Sequence, residues 1–331
     1  MSKTAIAILN YNGKDFLEKF LPTLIKHSNN FPIYIGDNAS TDDSVKFITE
    51  NFSDITLIEL GGNFGYSKGY NLLLKQIDAD YVALVNSDIE VTTNWLPPLI
   101  YQLDQNPNLA AIQPKIKSFT SKSYFEHAGA AGGFVDKYGY PFCRGRIIDT
   151  LEKDEGQYED SIAIKWATGA CFLVRHSTFK KVRGFDDDFF AHMEEIDLCW
   201  RFYNNGFDVK YTSESTVYHV GGGTLAYESP FKTYLNYRNG LYLLVKNLPK
   251  NELGKTLFMR FILDWLSFIY LLLQGKWKLS NAIFKAYLKF FKTKKQFIAK
   301  RDIENSRTGF MKNYSIIWNY FIKNKKKYNQ Y

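Results

Sequence analysis

Short apolar runs alternate with amphipathic stretches along the first ninety residues. Four runs rich in β-branched and aromatic residues predict strands: Ala5–Leu9, Ile33–Asp37, Ile55–Leu60 and Tyr81–Val85. Apolar residues at helical spacing between them predict three helices: Asp15–His27, a helix capped by Ser40 and Thr41 that ends near Asn51, and Ser67–Ile77. Pro22 is expected to kink or interrupt the first helix. This alternation is typical of an α/β fold with a mostly parallel sheet flanked by helices.

Residues 111–240 follow a less regular pattern, rich in glycine and aromatic residues. Trp166–Val174 predicts a strand in which Gly169 marks a close approach or a bulge. A helix is predicted from about Glu194 to Tyr203, and a strand from Val217 that runs into the glycines at 221–223.

The composition is that of a folded protein, with 45% hydrophobic and 23% charged residues in 331 positions. This length suggests two units, or one large unit with an appendage. Three widely spaced cysteines fit neither a disulfide framework nor a zinc site, which favours a reducing cytoplasm. The first apolar run is too short for a signal peptide, so a cytoplasmic location is expected.

Charge divides the chain near residue 240. Residues 241–331 carry a net charge of +15 and residues 1–240 a net charge of −7. Such asymmetry indicates an acidic body and a basic extension that meets phosphate, membrane or nucleic acid. We therefore predict a domain over residues 1–240 and a helical, basic amphipathic extension over 241–331.

The extension contains two apolar stretches of different kinds. Leu257–Leu273 is apolar but interrupted by Arg260 and Asp264, whose spacing would pair them on a helix. We expect this helix to lie on the body or on a bilayer rather than to cross it. Trp277–Arg301 interleaves aromatic residues with lysines, which is typical of a helix on an anionic membrane surface; packing on the body is the alternative. No nucleic-acid motif accompanies it.

Polar residues follow each of the first four predicted strands, where parallel sheets bind ligands. Candidate nucleotide-binding residues are Asn10, Asn12, Asp37, Asn38, Asn63 and Asn86. Neither the dinucleotide-binding glycine fingerprint nor a P-loop is present. Asp37 suits a base or ribose, and Asp88 suits a hard divalent cation such as Mg²⁺ or Mn²⁺. Taken singly, these residues could equally form turns and helix caps.

Two further groups have catalytic potential. Glu194, Glu195 and Asp197 crowd the start of one predicted helix, where one acid could act as a general base; the helix dipole or an Asp197–Arg201 pair are the alternatives. His219 precedes three glycines and could contact a metal or phosphate, or be a core histidine.

The order of these pieces resembles the family 2 glycosyltransferases of the GT-A fold, particularly rhamnosyltransferase-like bacterial enzymes. The resemblance covers about residues 3–240. It rests on these segments: Ala7–Asn12, Asp37–Asp42, Asn63–Asn71, Leu84–Asp88, Thr168–Arg175, Gly184–Asp186, Glu194–Arg201, His219 and Arg238-Asn239.

The resemblance implies an inverting, metal-dependent transfer of a sugar from a UDP- or dTDP-type donor to a hydroxyl of a glycan acceptor. Asp88 and His219 would bind the metal, Glu195 would be the catalytic base, and Asp37 would hold the base or ribose beside the asparagines named above. Further acceptor or phosphate contacts are expected at Gly169, Glu194, Asp197, Arg201 and Arg238. With the basic extension, the acceptor would be lipid-linked and the enzyme peripheral at the inner face of the plasma membrane, in cell-surface polysaccharide synthesis.

Two positions depart from the family pattern. Asn86 stands where many members have Asp, which removes a charge from the metal site, and Glu195 stands where Asp is commoner. A sugar-nucleotide pyrophosphorylase would need a glycine-rich basic loop after the first strand, which Asn10–Gly13 is not. The remaining alternative is a non-catalytic glycan- or membrane-binding relative of the same fold.

Overall fold

A nine-stranded sheet forms the centre of the protein in the computed structural model, which describes residues 3–28, 30–127, 129–221, 229–302 and 306–331. Its strands are β1 (Thr4–Asn10), β2 (Ile33–Asp37), β3 (Thr56–Glu59), β4 (Tyr81–Val85), β5 (Ile89–Val91), β6 (Leu109–Ser118), β11 (Ser161–Ile164), β12 (Cys171–Arg175) and β13 (Asp208–His219). A separate four-stranded sheet contains β7 (Gly133–Val135), β8 (Pro141–Cys143), β9 (Arg146–Ile147) and β10 (Thr150–Leu151).

Helices cover the sheet and form the C-terminal part of the chain. They are α1 (Lys14–His27), α2 (Ser44–Asn51), α3 (Gly65–Leu74), α4 (Pro97–Gln105), α5 (His176–Lys181), α6 (Glu194–Asn204), α7 (Pro230–Asn247), α8 (Lys250–Leu273), α9 (Trp277–Ala299) and α10 (Ile316–Phe321). Two buried apolar clusters fill the space on either side of the sheet.

The first four strands are parallel, as the apolar pattern predicts. β1 lies between β2 and β4, and β3 adds to the outer edge of β2. The mostly parallel α/β architecture is therefore confirmed. The carboxyl ends of these strands meet at one edge of the sheet, where the polar residues of the sequence analysis gather.

The second half of the sheet departs from the parallel order. β12 runs antiparallel to both β4 and β6, and β13 runs parallel to β6. β5 then pairs with the end of β13, opposite His219. The short strand β5, which follows β4 in the chain, therefore brings the end of β4 close to the end of β13.

Several local predictions differ from the structure; the strand predicted from Val217, for example, already begins at Asp208. Helix α1 continues through Pro22, because its buried face of Leu17, Leu21 and neighbouring residues packs on the sheet and offsets the missing backbone hydrogen bond. Helix α2 begins at Ser44, after Ser40 and Thr41, because the Asp37 carboxylate holds the Ser40 backbone in a turn.

The strand predicted over Trp166–Val174 begins only at Cys171. Trp166 instead forms an isolated β-bridge with Gly133 of the small sheet, and the Thr168 backbone N–H donates to the Gln113 side chain. These contacts take the place of strand pairing before Cys171. The Gly222–Thr224 end of the last predicted strand lies outside the described residues.

The C-terminal helices pack closely on the rest of the protein. Helix α7 runs continuously through residue 240, the predicted domain boundary, and α9 packs along it. Tyr242 of α7 stacks on Phe297 of α9 with ring centroids 3.6 Å apart. The chain then returns to the small sheet, where Tyr328 stacks on Phe134.

Helix α8 has the length and apolar composition of a membrane span, but its two central charges face the protein. Arg260 Nε donates to the Asp264 carboxylate at 3.0 Å, which confirms the predicted pair, and Arg260 also donates to the Gly139 carbonyl. Tyr140 and Tyr287 donate their hydroxyls to Asp264. The buried side of α8 is thus fixed by hydrogen bonds to two other parts of the chain.

Candidate active site

Residues at the carboxyl ends of β1 and β2 form a hydrogen-bonded cluster around Asp37. Asn10 pairs with Asp37 in register, and its Nδ2 donates to Asp37 Oδ1 at 3.1 Å. The Ser40 amide and hydroxyl donate to the two Asp37 oxygens at 2.8 and 2.6 Å. Asn10 Oδ1 is buried and has no hydrogen-bond partner among the described residues. This oxygen lies close to Gly13, beside a carboxylate that is already oriented.

Three asparagines hold the loops around this edge. Asn12 Oδ1 accepts from the Thr41 amide at 2.7 Å. Asn38 donates to the Gly65 carbonyl at 3.0 Å, and Asn63 Oδ1 accepts from the Gly65 amide at 3.1 Å. These side chains therefore fix backbone at the strand ends, consistent with the turn chemistry of their residue types.

The ends of β4 and β13 bring Asp88 and His219 together. His219 Nε2 lies 3.1 Å from Asp88 Oδ1, and both side chains are buried. Their strands fix this contact, because His219 pairs with Ile89 and the Val220 amide donates to the Asp88 carbonyl. Asn86, two residues before Asp88, is half-buried, and its backbone N–H donates to the Ala170 carbonyl at 2.9 Å.

A carboxylate that the sequence analysis did not single out lies on the other side of His219. Glu126 Oε2 is 3.4 Å from His219 Nδ1, and Glu126 is buried. Burial alone would lower the pKa of His219, but the carboxylates of Glu126 and Asp88 outweigh it and raise the pKa to about 10. Without a cation the site therefore favours a proton on His219, and a bound cation would take the place of the Nε2 proton.

Helix α6 begins with two acids, Glu194 and Glu195, that are each only partly hydrogen-bonded. One oxygen each of Glu194 and Glu195 is buried without a hydrogen bond among the described residues. Burial raises the pKa of Glu195 to about 7. Burial, followed by the charge of Glu195, raises the pKa of Glu194 well above its ordinary range. An acid with a pKa near neutral can accept a proton at physiological pH.

Asp197, in the same first turn of α6, has the opposite environment. Its carboxylate accepts from Arg201 at 2.8 Å, from Lys246 at 2.9 Å and from Asn247 at 2.8 Å. Burial alone would raise the pKa of Asp197, but the Arg201 and Lys246 charges lower it to about 2. The Asp197–Arg201 pair, predicted as an alternative to a catalytic role, is therefore formed, and the two side chains bind each other.

The segment before α6 is strained and held by α7. Phe190, His192 and Met193 have φ values of 65°, 67° and 71°, in the left-handed region. The buried Asn239 side chain donates to the carbonyls of three residues in this segment, the shortest contact being 2.7 Å to His192. Arg238 Nε donates to Asn239 Oδ1 at 2.9 Å. The two α7 residues thus fix the backbone that leads into Glu194.

Backbone contacts join these parts into one site. The Tyr66 amide donates to the Phe190 carbonyl at 2.8 Å, and the Tyr66 hydroxyl donates to the Gly169 carbonyl at 2.7 Å. A Cβ at Gly65 would lie 2.7 Å from the Phe190 carbonyl, and one at Gly169 would lie 2.9 Å from the Tyr66 hydroxyl. The close approach predicted at Gly169 is therefore present, and α3 contacts both the β4 edge and the α6 segment.

The donor atoms fit a divalent cation that is completed by substrate. His219 Nε2 and Asp88 Oδ1 lie 3.1 Å apart and supply one nitrogen and one oxygen donor. Among the described residues, no group of three or more His, Cys, Asp or Glu side chains is arranged so that it could hold a metal ion by itself. Mg²⁺ and Mn²⁺ are commonly held by one or two protein ligands together with substrate phosphates and water. The set therefore suits an ion that binds with a diphosphate better than one held by protein alone.

Glu126 and Asn239 differ in how far the sequence could reveal them. Glu126 lies in the irregular segment after β6, where neither periodicity nor spacing gives a signal. Asn239 belongs to the Arg238-Asn239 pair of the resemblance, but its target carbonyls lie about 50 residues away and become apparent only from the fold.

Comparisons with known proteins agree with the fold. The N-acetylglucosaminyl-diphospho-decaprenol L-rhamnosyltransferase of Mycobacterium tuberculosis is 26% identical over 230 residues, which cover 65% of this chain and 75% of that protein. Residues 1–349 of Staphylococcus aureus TarS, solved in complex with UDP-GlcNAc, match with a TM-score of 0.55 and 19% identity over 92% of this chain and 90% of that one.

A second solved structure, the mannosyltransferase PcManGT of Pyrobaculum calidifontis in complex with GDP-Man and Mn²⁺, matches with a TM-score of 0.54 and 11% identity. This match covers 90% of this chain and 84% of that chain. Both structural matches show the GT-A fold that the resemblance implied. The family model of Glycosyl transferase family 2 matches residues 5–183, which is more than half of the chain. The protein therefore belongs to glycosyl transferase family 2 and is a glycosyltransferase.

Proposed function

We propose that this glycosyltransferase moves a sugar from a nucleoside-diphosphate donor, of the UDP or dTDP type, to a hydroxyl of a glycan acceptor with inversion at the anomeric carbon. The observation that carries the proposal is the half-buried Glu195 carboxyl, which has one oxygen without a partner among the described residues and a pKa near 7. The contacts of Tyr66 with the segment before α6 and with Gly169 support a location of this general base close to the proposed metal ligands Asp88 and His219.

The donor nucleotide would bind across the ends of β1 and β2. Asp37 has acceptor capacity left after its bonds to Asn10 and Ser40, and it would take a ribose hydroxyl or a base N–H. The unpartnered Asn10 Oδ1 supports the same location. Asn12, Asn38, Asn63 and Asn86 line the adjoining loops.

Asp88 and His219 would hold a divalent cation, Mg²⁺ or Mn²⁺, beside the donor diphosphate. When bound, the cation neutralises charge on the leaving diphosphate. This assignment is supported by the convergence of the two side chains, and by the Mn²⁺ in the PcManGT complex. Asn86 contributes an amide in place of a carboxylate, so the site relies on fewer charged ligands.

Glu195 would remove the proton of the acceptor hydroxyl during attack. The acceptor oxygen forms a bond to the anomeric carbon as the bond from that carbon to the diphosphate oxygen breaks, and the proton passes to Glu195. Attack from the face opposite the diphosphate gives the inverted product. Glu194 and Gly169 adjoin this position, whereas the Asp197 and Arg201 atoms are engaged with each other.

The acceptor would be a lipid-linked glycan at the cytoplasmic face of the plasma membrane, in cell-surface polysaccharide synthesis. The name of the mycobacterial relative specifies a diphospho-decaprenol acceptor, which supports this class. We keep the division into a GT-A domain (1–240) and an extension (241–331) as a functional one, because the second part carries the features that suit a membrane.

The outer faces of α8 and α9 support peripheral attachment to an anionic bilayer. Large apolar side chains are exposed along one face of each helix: Phe258, Ile262, Leu266, Ile269, Tyr270 and Leu273 on α8, and Trp277, Phe284, Leu288, Phe291 and Ile298 on α9. Trp265 contacts the Phe284 ring, so the two faces adjoin. Apolar and aromatic side chains on a basic helix are typical of an interfacial surface.

Charge favours a bilayer over a second copy of the chain as the occupant of this face. Helix α9 contains no acidic residue, and its lysines at 278, 285, 289, 292 and 295 are exposed. A twofold contact would bring these like charges together, whereas anionic lipid would neutralise them. The buried Arg260–Asp264 pair holds α8 against the protein, so α8 would lie on the membrane surface.

The donor proposal is tested by the thermal midpoint of the protein with UDP, dTDP, GDP or CMP, each with and without Mn²⁺. A ligand of the folded state raises the midpoint by mass action, and we expect a Mn²⁺-dependent rise for UDP or dTDP. The Asp88→Asn variant should lose the Mn²⁺-dependent part. No rise with any nucleotide at millimolar concentration would favour a non-catalytic relative instead.

The membrane proposal is tested by flotation with vesicles that contain phosphatidylglycerol. The combined substitution Leu266→Gln, Tyr270→Gln, Leu273→Gln and Trp277→Gln should abolish flotation, because these side chains are exposed and outside the core. Tyr101→Gln is a matched control, since Tyr101 is equally exposed but lies on α4. Unchanged flotation of the combined variant, or a monomer–dimer change without flotation, would contradict the proposal.

A further inference from the structure

Glu126 forms the outer end of a row of three buried side chains. His219 Nε2 is 3.1 Å from Asp88 Oδ1, and His219 Nδ1 is 3.4 Å from Glu126 Oε2. The imidazole thus lies between two carboxylates, one on each ring nitrogen. Glu126 belongs neither to the proposed nucleotide-binding residues at the ends of β1 and β2 nor to the acids at the start of α6.

Backbone pairing fixes all three positions. The Glu126 amide donates to the Ile116 carbonyl at 3.1 Å, which attaches its segment to the end of β6. His219 lies beside Ser118 of the same strand and opposite Ile89 of β5, next to Asp88. His219 of β13 therefore lies between Asp88, which directly precedes β5, and Glu126, whose backbone is hydrogen-bonded to β6.

The ring geometry assigns Glu126 and Asp88 different tasks. The two nitrogens lie on different edges of the imidazole, so an ion held by Nε2 and Asp88 is out of reach of a carboxylate that faces Nδ1. A histidine that binds a metal through one nitrogen commonly donates the other N–H to a carboxylate, which fixes the orientation and tautomer of the ring. Glu126 stands where that carboxylate would be.

We propose that Glu126 is a positioning residue of the metal site, which accepts the Nδ1–H of His219 and holds Nε2 toward Asp88. The inference rests on the proposed function, because it requires that His219 bind the cation. Loss of such an outer carboxylate typically weakens metal binding by about 10- to 100-fold. The expected effect is therefore on metal affinity first and on turnover only through it.

The first test measures Mn²⁺ binding without turnover, from the electron paramagnetic resonance signal of free Mn²⁺ in the presence of UDP. Glu126→Gln should weaken binding about tenfold and Glu126→Ala about 100-fold, whereas Glu126→Asp, which keeps the charge, should lose less than Glu126→Gln. Glu152→Gln is the matched control, because Glu152 is equally buried but binds Tyr158 and the Tyr328 amide. Its Mn²⁺ affinity should match that of the wild type.

The second test combines Glu126→Gln with His219→Gln. If Glu126 acts through His219, the double variant should bind Mn²⁺ as weakly as His219→Gln alone, because the interaction is already lost. Additive losses, or wild-type affinity in folded Glu126→Gln and Glu126→Asp proteins, would overturn the inference and leave the proposed function intact. Failure of the wild type to bind Mn²⁺ with any nucleotide would overturn the metal assignment and this inference together.

Discussion

The first turn of α6 carries two kinds of carboxylate in very different surroundings. Glu195 is half-buried, no cation of the described residues lowers its pKa, and burial raises that pKa to about 7, whereas Asp197 is buried with Arg201 and Lys246 and has a pKa lowered to about 2. Both lie near the positive end of the same helix dipole, so the dipole does not account for the difference. The number of neighbouring cations does.

This contrast separates a chemical role from a structural one. A carboxyl with a pKa near 7 is partly protonated and partly ionised at neutral pH, so it can exchange a proton with a substrate. A carboxylate held charged by two cations cannot do so at that pH, but it anchors α6 to α7 through Lys246 and Asn247. Substitutions at the two carboxylates should therefore have different effects: loss of turnover at Glu195 and loss of stability at Asp197.

Glu195→Gln should lower kcat by about 10²- to 10⁴-fold, because removal of a general base costs about that factor. Affinity for UDP with Mn²⁺ should be unchanged, since the donor edge and the metal ligands are intact. Initial-rate kinetics and nucleotide binding measure the two properties. Glu194→Gln is the control and should retain most of the activity; equal losses in the two variants would show that the position of the base is assigned wrongly.

Asp197→Asn should destabilise the fold by about 3–5 kcal/mol, because it leaves the half-buried Arg201 without its anion and the buried Lys246 with only Asp186. The stabilisation from Asp197 is present above its unfolded pKa of about 3.9 and is lost as the pH falls through its folded value of about 2. Urea denaturation measures it. A variant as stable as the wild type would refute the structural role.

Asn239→Ala should have a smaller effect on stability, about 1–3 kcal/mol, because it removes an amide that binds the carbonyls before α6. It should also lower kcat, since the left-handed backbone at His192 and Met193 would relax and move Glu195. Substitution of Asn247, whose amide binds Asp197, is the matched comparison: Asn247→Ala should reduce stability without this loss of kcat. Similar kcat values in the two variants would argue against a positioning role.

Local pattern was sufficient for the first half of the fold. The four parallel strands follow from continuous apolar runs, and the start of α6 at Glu194 was predicted at the correct residue. The interruption at Pro22 was wrong because tertiary packing of the α1 face outweighs one lost hydrogen bond. The β7–β10 sheet was missed because its strands are only two or three residues long.

The site was less accessible to sequence reasoning. Asp88, His219 and Glu195 stand at the ends of predicted elements, so their residue types could be interpreted where they occur. Glu126 and the Asn239 contacts depend on chain segments that only the fold brings together. The pKa of Glu195 likewise depends on burial and on the absence of a nearby cation, and neither can be derived from spacing along the chain.

The central claim, that Glu195 is the base, is tested most directly by the pH dependence of kcat/KM. Because Glu195 must be deprotonated to accept a proton, activity should be constant above its pKa and fall about tenfold per pH unit below about 7. The fall should be absent from the residual activity of Glu195→Gln. A wild-type profile that stays flat down to pH 5, or an unchanged fall in Glu195→Gln, would contradict the assignment.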